Sequence, residues 1–257
     1  MAHYIDLNSD LGESFGNYTL GMDSEVLNHV TSANVACGWH AGDPLIMDVT
    51  VRMCKEKGVA VGAHPGYPDL MGFGRRAMAV NPGEAKTYMI YQLGALQAFC
   101  DSYGVTLQHM KLHGAFYNTA CVTPALADAV LDGLQAVNPN IAAMVLSGSY
   151  IAKEAQRRGI PVIQEVFADR GYTDEGTLVP RTEPGAFIKD PQEALERVLM
   201  MVTEGKVVTN TGNTIDIVAD SICVHGDNPE AIAFTKYIRE GLAKAGVTVA
   251  NFQDRKK

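Results

Sequence analysis

Two short signals alternate along the chain, and together they constrain its fold more than any other feature of the sequence. One is a helix start, in which a capping residue precedes a proline: Asp43-Pro44, Asn81-Pro82, Thr123-Pro124, Asp190-Pro191 and Asn228-Pro229. The other is a glycine followed by a residue that favours strands: Gly58-Val59, Gly104-Val105, Gly159-Ile160 and Gly246-Val247. Proline suits the first helical position because its missing N–H has no partner there, and glycine takes the left-handed conformation that ends a helix. The alternation predicts strand, helix, strand, helix, and therefore a parallel α/β sheet.

The positions of the strands favour a closed sheet. We place them near residues 4–10, 32–37, 59–64, 107–113, 142–147, 161–169 and 220–225. Seven strands without an obvious switch point favour a seven-stranded parallel β/α barrel, although an open doubly wound sheet stays possible because sequence does not show strand order. A Gly/Pro-rich loop over 171–189 and a β-hairpin over 206–217 interrupt the pattern. No linker-like stretch divides the chain, so we expect one domain over residues 1–257.

Charge and cysteine content narrow the functional classes. Lys and Arg number 21 against 29 Asp and Glu, and the net charge of −8 argues against a nucleic-acid partner. The five cysteines show no C-x-x-C spacing, which argues against a disulfide framework or a structural zinc site and favours a reducing compartment. Neither a signal-peptide pattern nor an apolar run of membrane-spanning length is present. We therefore expect a cytoplasmic protein without a membrane partner.

Polar and ionisable residues gather at the predicted carboxyl ends of several strands. A barrel brings these ends to one mouth, where barrel enzymes carry their active sites. Burying an unpaired charge costs on the order of several kcal/mol, so a shared site explains the pattern better than packing does. We take as catalytic candidates Asp10, His40, His64, Lys111, His113, Glu165, His225 and Asp227, with Asn8 and Asn34 as substrate-binding candidates.

Alternatives stay open for parts of this set. A buried structural network of charges is the alternative for the whole set. Asp227 precedes Asn228-Pro229 and could instead cap the last helix. Asp6 and His109 lie early on their strands, and we expect structural roles for both.

Two loops bring arginines to the same mouth. Arg75 and Arg76 follow the third strand, and Arg170 and Arg181 belong to the long loop after the sixth. A guanidinium can hold a carboxylate or a phosphate, so we expect these four to bind substrate or phosphate, although the adjacent pair could simply be solvated. The chain contains no G-x-x-x-x-G-K-[ST], G-x-S-x-G or H-E-x-x-H motif. Asp and His residues at the mouth could hold a divalent metal, as in metal-dependent deacetylases, but the metal ligands stay unknown at this stage.

Six segments make the chain resemble a known family, and they cover nearly its whole length in the family's order. They are DLNSDLGESFG (6–16), SANVACGWHAGDP (32–44), GAHPGYPDLMGFGRR (62–76), KLHGAFYN (111–118), EVFADRGYTDEGTLVPRTEPGA (165–186) and SICVHGD (221–227). They resemble the LamB/YcsF family. The resemblance implies a seven-stranded barrel similar to the glycoside hydrolase/deacetylase fold. It also implies a hydrolase that opens 5-oxoproline to glutamate with hydrolysis of ATP, together with subunits B and C of a 5-oxoprolinase complex.

The resemblance suggests roles for the candidate residues. Because the chain has no phosphate-binding glycine loop, we expect ATP to be a co-substrate bound mainly by the partner subunits. Asp10 or Glu165 would be the general base toward water, and Lys111 with His64 or His225 would stabilise the oxyanion or protonate the leaving nitrogen. Two other functions stay open, a metal-dependent amidase or deacetylase that acts alone and a binding subunit without catalysis.

Overall fold

Seven parallel strands close into a barrel because the first strand pairs along both of its edges. The computed structural model describes residues 3–254, in which the strands are β1 (His3–Leu11), β2 (Ser32–Ala36), β3 (Ala60–His64), β4 (Leu107–Met110), β5 (Ala142–Leu146), β6 (Val162–Phe167), β7 (Lys206–Val208), β8 (Thr214–Asp216), β9 (Ser221–Cys223) and β10 (Val247–Val249). Strands β1 to β6 pair in sequence order, and β9 pairs with both β6 and β1. The predicted seven-stranded parallel barrel is confirmed, and the open sheet is excluded.

Strand β10 joins the sheet outside this ring. It follows the Gly246-Val247 signal but was not among the seven strands placed from the sequence. It pairs in parallel with His3 to Ile5 at the start of β1, whereas β9 pairs with β1 from Asp6 onward. The first strand is nine residues long. Its early part therefore extends past β9 and leaves backbone groups that β10 covers. The prediction of one domain over residues 1–257 stays a prediction, and residues 1–2 and 255–257 lie outside the described part.

Five of the eight helices of the described residues begin where the cap-proline signals predict. The eight helices are α1 (Asp23–Val26), α2 (Pro44–Lys57), α3 (Pro82–Tyr103), α4 (Gly114–Val122), α5 (Pro124–Val137), α6 (Tyr150–Arg157), α7 (Pro191–Glu204) and α8 (Pro229–Lys244). All five predicted prolines stand at helix starts, and Asn81 forms a reciprocal capping box with Glu84. Gly58 and Gly104 end α2 and α3 in the left-handed conformation.

No single helix of residues 3–254 is long and apolar enough to cross a membrane. Helices α4 and α5 reach that length and composition only as a pair, and they meet at an angle of 115°. Both carry buried residues that belong to the hydrophobic core, among them Phe116, Val130 and Leu134.

Three predicted strands end earlier than expected. The fourth, sixth and seventh barrel strands end at Met110, Phe167 and Cys223, so several candidate residues lie just beyond them. The backbone nevertheless stays attached to the barrel after β4, because Lys111 N donates to Ala63 O (2.9 Å) and His113 N donates to Pro65 O (2.9 Å). The predicted hairpin is present as the antiparallel pair β7–β8.

The interior of the barrel is polar, whereas the layer between strands and helices is apolar. On β1, Ile5, Leu7 and Leu11 belong to the hydrophobic core. The intervening residues Asp6 and Asn8 are fully buried but bond to polar side chains of neighbouring strands. The strand alternation therefore directs one apolar and one polar set to opposite faces.

Candidate active site

The closed end of the barrel holds a buried hydrogen-bond network. Asp6 accepts from Ser32 Oγ (2.7 Å) and Thr31 Oγ1 (2.6 Å), and it also accepts from Ser221. His109 Nε2 lies 2.7 Å from Asn34 Oδ1. This arrangement places Asp6 and His109 in the barrel floor rather than at its mouth.

Above this floor lies a buried ammonium group between two carboxylates. Lys111 Nζ is 2.7 Å from Glu165 Oε1 and 3.0 Å from Asp10 Oδ1. It also donates to Asn8 Oδ1 (3.2 Å) and Cys223 Sγ (3.2 Å), and its side chain is 3% exposed. Burial by itself would lower the pKa of Lys111, but its neighbours, Asp10 first among them, outweigh burial and hold that pKa well above its ordinary value.

Asp10 stays ionised for a related reason. Burial would raise the pKa of Asp10, but its interactions with His64 and Lys111 outweigh burial and hold that pKa well below its ordinary value. Asn34 Nδ2 donates to Asp10 Oδ1 and to Asn8 Oδ1, both at 2.8 Å. The two asparagines therefore fix the carboxylate and the ammonium relative to each other.

Three histidines and a glutamate form a second group beside this pair. Ligand atoms of Glu13, His40, His64 and His113 all lie within 4.8 Å of one another. The rings of His40 and His113 stack with their centroids 3.7 Å apart, and the His64 ring stands edge-on to both. Burial lowers the pKa of His113 to about 3 and that of His40 well below its ordinary value, so both imidazoles are neutral near pH 7.

A strained turn of the loop after β3 holds these rings. Phe73 has a φ of +53° and Gly74 a φ of +62°. Because bulky residues rarely adopt positive φ, contacts with the surrounding residues must hold this turn in its strained conformation. Phe73 O accepts from His113 Nε2 (2.8 Å), and a Cβ atom on Gly74 would lie 2.8 Å from carbon atoms of both His40 and His113.

A cavity of about 700 Å³ opens onto both groups. Nine predicted site residues line it: Asp10, His64, Arg75, Lys111, His113, Arg170, Arg181, His225 and Asp227. Opposite the histidine group, His225 Nε2 lies 3.3 Å from Asp169 Oδ2. The volume of the cavity suits a small ligand and leaves space beside that ligand.

Five predicted residues do not line the cavity. Asn8, Asn34, His40 and Glu165 are fully buried behind its wall. Arg76 instead points away and pairs with Asp69, to which its Nε donates at 2.9 Å, while its side chain is 66% exposed. Arg75 lines the cavity and Arg76 does not. The geometry therefore does not support the prediction that both arginines bind a ligand at the mouth.

Arg170 reaches the cavity wall but uses its donors elsewhere. Its Nε donates to Ala186 O (3.0 Å) and its Nη2 donates to Val179 O (2.6 Å). The guanidinium therefore fastens the two ends of the long loop to each other. Arg181 lies on the same loop with its guanidinium 5.3 Å from the centre of the Phe187 ring.

Sequence reasoning missed two residues of the site. Glu13 lines the cavity three residues beyond Asp10, where Gly12 turns the chain with a φ of +69°. The pKa of Glu13 is raised well above its ordinary value by burial, and also by the charges of Asp10 and Asp227. Tyr117 of α4 donates its hydroxyl to Glu165 Oε2 (2.8 Å). A carboxylate directly after a strand end was a usable signal for Glu13, but strand alternation does not extend past a left-handed turn.

The fold and the site define a class of protein: a parallel β/α barrel whose charged, partly buried cavity opens at the carboxyl ends of its strands, where barrel enzymes bind their substrates. Within that class, the chain belongs to the LamB/YcsF family, whose model matches residues 5–257.

Known relatives extend over the whole chain. A protein of Fusobacterium nucleatum subsp. nucleatum, named as the A subunit of 5-oxoprolinase, is 60% identical, and the match covers 99% of each chain. A protein of the same name from Pyrococcus abyssi is 53% identical over 97% of this chain and 98% of its own. The crystal structure of a lactam utilization protein from Thermus thermophilus is similar with a TM-score of 0.92 and 44% identity, covering 97% of this chain and 100% of its own.

Proposed function

We propose that this chain is the A subunit of an ATP-dependent 5-oxoprolinase and takes part in opening the lactam of 5-oxo-L-proline to L-glutamate. The observation that carries the proposal is the 60% identity, over 99% of both chains, to a relative named as the A subunit of 5-oxoprolinase. The site adds chemical support, because the cavity holds an ionised carboxylate, a buried ammonium and exposed arginines around a space for a small acid.

The reaction needs both an activated carbonyl and an activated water. A five-membered lactam is a stable amide, and transfer of a phosphoryl group from ATP to its oxygen makes the carbonyl carbon more electrophilic. Water then adds to that carbon, and the C–N bond breaks as the ring nitrogen takes a proton, which leaves an acyl phosphate. A second water hydrolyses the acyl phosphate to the glutamate carboxylate and inorganic phosphate. We assign ATP binding mainly to the partner subunits B and C, because the sequence carries no phosphate-binding glycine loop.

Asp10 is the candidate general base. It is ionised, lines the cavity and is 22% exposed, so water can reach it. Glu165 is fully buried and is held by Lys111 and Tyr117, so we assign to it the positioning of Lys111 rather than proton abstraction.

Three further groups complete the assignment. Lys111 stabilises negative charge that develops on the oxygen atoms at the reacting carbon as water adds. His225, on the opposite side of the cavity, protonates the leaving nitrogen. Arg75 and Arg181 bind the substrate carboxylate or a phosphate.

The test is glutamate formation from 5-oxoproline and ATP by subunits B and C, with and without this chain. We expect glutamate only when all three subunits and ATP are present. Glutamate formation that does not depend on this chain would contradict the proposal. An Asp10→Asn variant that supports full turnover would contradict the assignment of Asp10 as general base.

The group of Glu13 and three histidines favours one alternative, an amidase or deacetylase that works without ATP and partners. Release of product by the chain alone, abolished by a chelator and independent of ATP, would establish that function instead.

A further inference from the structure

Two backbone carbonyl groups fix the proton positions on His64 and His113. His64 Nδ1 lies 2.8 Å from Lys111 O, and His113 Nε2 lies 2.8 Å from Phe73 O. A carbonyl oxygen only accepts hydrogen bonds, so each of these nitrogens must carry the proton. In a ring that carries only this proton, the other nitrogen has a lone pair. Those two nitrogens, His64 Nε2 and His113 Nδ1, lie 2.9 Å apart and face each other.

A carboxylate oxygen lies close to each of these two nitrogens. Asp10 Oδ2 lies 3.3 Å from His64 Nε2, and Glu13 Oε1 lies 3.6 Å from His113 Nδ1. Four electron-rich atoms therefore face one another inside a mostly buried site. One additional proton could bridge the two imidazole nitrogens or one nitrogen and its neighbouring carboxylate. The other atoms would still face one another without a proton between them. A divalent cation bound by the two nitrogens and by Glu13 would pair with all three of these atoms, and its positive charge would also face the Asp10 carboxylate.

We propose that Glu13, His64 and His113 bind one divalent first-row metal ion, best matched by Zn²⁺. A tetrahedral ion with bonds of about 2.0–2.1 Å places its ligands about 3.3 Å apart. The distance between the two imidazole nitrogens and that between Glu13 Oε1 and His113 Nδ1, 2.9 and 3.6 Å, bracket this value. Nitrogen and carboxylate ligands suit Zn²⁺ better than Mg²⁺ or Ca²⁺.

The surroundings have the form of an outer shell. Lys111 O and Phe73 O orient the two imidazoles through their distal N–H groups, which is the usual arrangement behind metal-bound histidines. His40 stacks on His113, and its Nε2 lies 3.2 Å from Glu13 Oε1, so we assign to His40 a hydrogen bond that holds the glutamate.

The three ligands also line the cavity, so a remaining coordination position faces its interior. An ion there would act as a Lewis acid toward an oxygen atom of a ligand. The proposal does not rest on the 5-oxoprolinase reaction, because ion binding is measured on the chain alone.

The experiment uses the purified full chain, stripped with a chelator and dialysed. Zn²⁺ is titrated calorimetrically, and Co²⁺ is titrated by visible absorption, which reports nitrogen and oxygen ligands. We expect one ion per chain. Glu13→Gln and His113→Ala should weaken binding by more than the roughly 10- to 100-fold that loss of an outer-shell partner costs, and His40→Gln should fall within that range. Circular dichroism checks that each variant is folded.

His225→Gln is the matched control, because it removes a histidine of the same cavity outside the proposed ligand set. It should bind Zn²⁺ like the wild type. Absence of stoichiometric binding by the folded wild type would overturn the proposal and leave a shared proton between His64 and His113. Binding that Glu13→Gln and His113→Ala do not weaken would place the ion elsewhere and overturn it as well. Neither result bears on glutamate formation by the three-subunit mixture, so the two proposals fail separately.

Discussion

At the scale of single residues, the most constrained group is the ammonium of Lys111. It is 3% exposed and lies between two carboxylates that no other lysine or arginine of the described residues pairs with. Removing one partner of a buried ion pair leaves the other charge without compensation in a poorly solvated place. The same ammonium therefore stabilises the fold and supplies the positive charge of the proposed chemistry.

Lys111→Met should abolish glutamate formation and lower the free energy of unfolding by about 3–5 kcal/mol. Adding Glu165→Gln removes one of the uncompensated charges, so the double variant should regain part of the stability but none of the activity. Urea unfolding and the three-subunit glutamate assay measure the two effects. Near-normal turnover by Lys111→Met would refute the role of this residue.

The neighbours Arg75 and Arg76 provide an internal comparison, because only Arg75 lines the cavity. A hydrogen bond to a charged group contributes about 1.5–3 kcal/mol, so Arg75→Ala should raise the KM for 5-oxoproline roughly 10- to 100-fold. Arg76→Ala should leave the KM close to that of the wild type, since its guanidinium is paired with Asp69. Equal effects of the two substitutions on KM would contradict the placement of Arg75 in the cavity wall and of Arg76 outside it.

At the scale of elements, the loop after β3 shapes the histidine group through Gly74. Gly74→Ala would force a side chain into a left-handed backbone and against the His113 ring and the Cβ atom of His40. We expect it to lower the free energy of unfolding by about 1–3 kcal/mol, from the left-handed conformation and the displaced rings. It should also weaken Zn²⁺ binding if the ion is held as proposed.

Gly94→Ala serves as the control for that loop. Gly94 lies within α3 and has open space where a Cβ atom would stand. Alanine is the better helix former, so this variant should be more stable by about 0.5–1 kcal/mol. Urea unfolding of both variants tests the pair, and a Gly74→Ala protein as stable as the wild type would contradict the strain argument.

Helix and strand order was predictable because its signals are local. The prolines at five helix starts and the glycines at several helix ends act within one turn, and they appear in the structure as the sequence indicated. Side-chain direction beyond a strand end was not predictable in the same way. Glu13 lies in the site because the chain turns at Gly12, and Arg76 points away from it because its guanidinium pairs with Asp69. Neither contact follows from the periodicity of a strand.

At the scale of the whole molecule, the ion pair of His225 and Asp169 connects the ends of β9 and β6. Burial would lower the pKa of His225, but its bond to Asp169 and the charges of Asp169, Asp10 and Asp227 raise it above the ordinary 6.5. Burial would likewise raise the pKa of Asp169, but His225 and Arg170 lower it below the ordinary 3.8. Arg181 also acts on Asp169. Both side chains are therefore charged at pH values between the lowered pKa of Asp169 and the raised pKa of His225.

The stabilisation by this pair should therefore depend on pH. The stabilisation contributed by His225 is complete below pH 6.5 and is lost as pH rises through its raised pKa. The stabilisation contributed by Asp169 is lost only as pH falls through its lowered pKa. The difference in Tm between wild type and His225→Gln should be larger near pH 5.5 than near pH 8.5. Equal differences at both values would show that the pair does not titrate in this way.

Seven strands without an obvious switch point favoured a closed barrel, but the burial of particular candidates was not predictable. Glu165 was a plausible general base in the sequence because it alternates with apolar neighbours at a strand end. In the fold, Tyr117 from α4 covers one carboxylate oxygen and Lys111 the other. Such covering depends on which helix packs over which strand, a tertiary relation that one strand's pattern does not contain.

The polar interior has a consequence for how the chain can change during evolution. Asn34 touches His109 in the floor and both Asp10 and Asn8 nearer the mouth, although these positions are distant in sequence. A substitution at any one of them alters the hydrogen-bond partners of the others, so their effects are not additive. The tolerated amino acids at positions 8, 10, 34 and 109 are therefore interdependent. Divergence inside this barrel must proceed through compensating replacements, while the apolar layer outside it can drift one residue at a time.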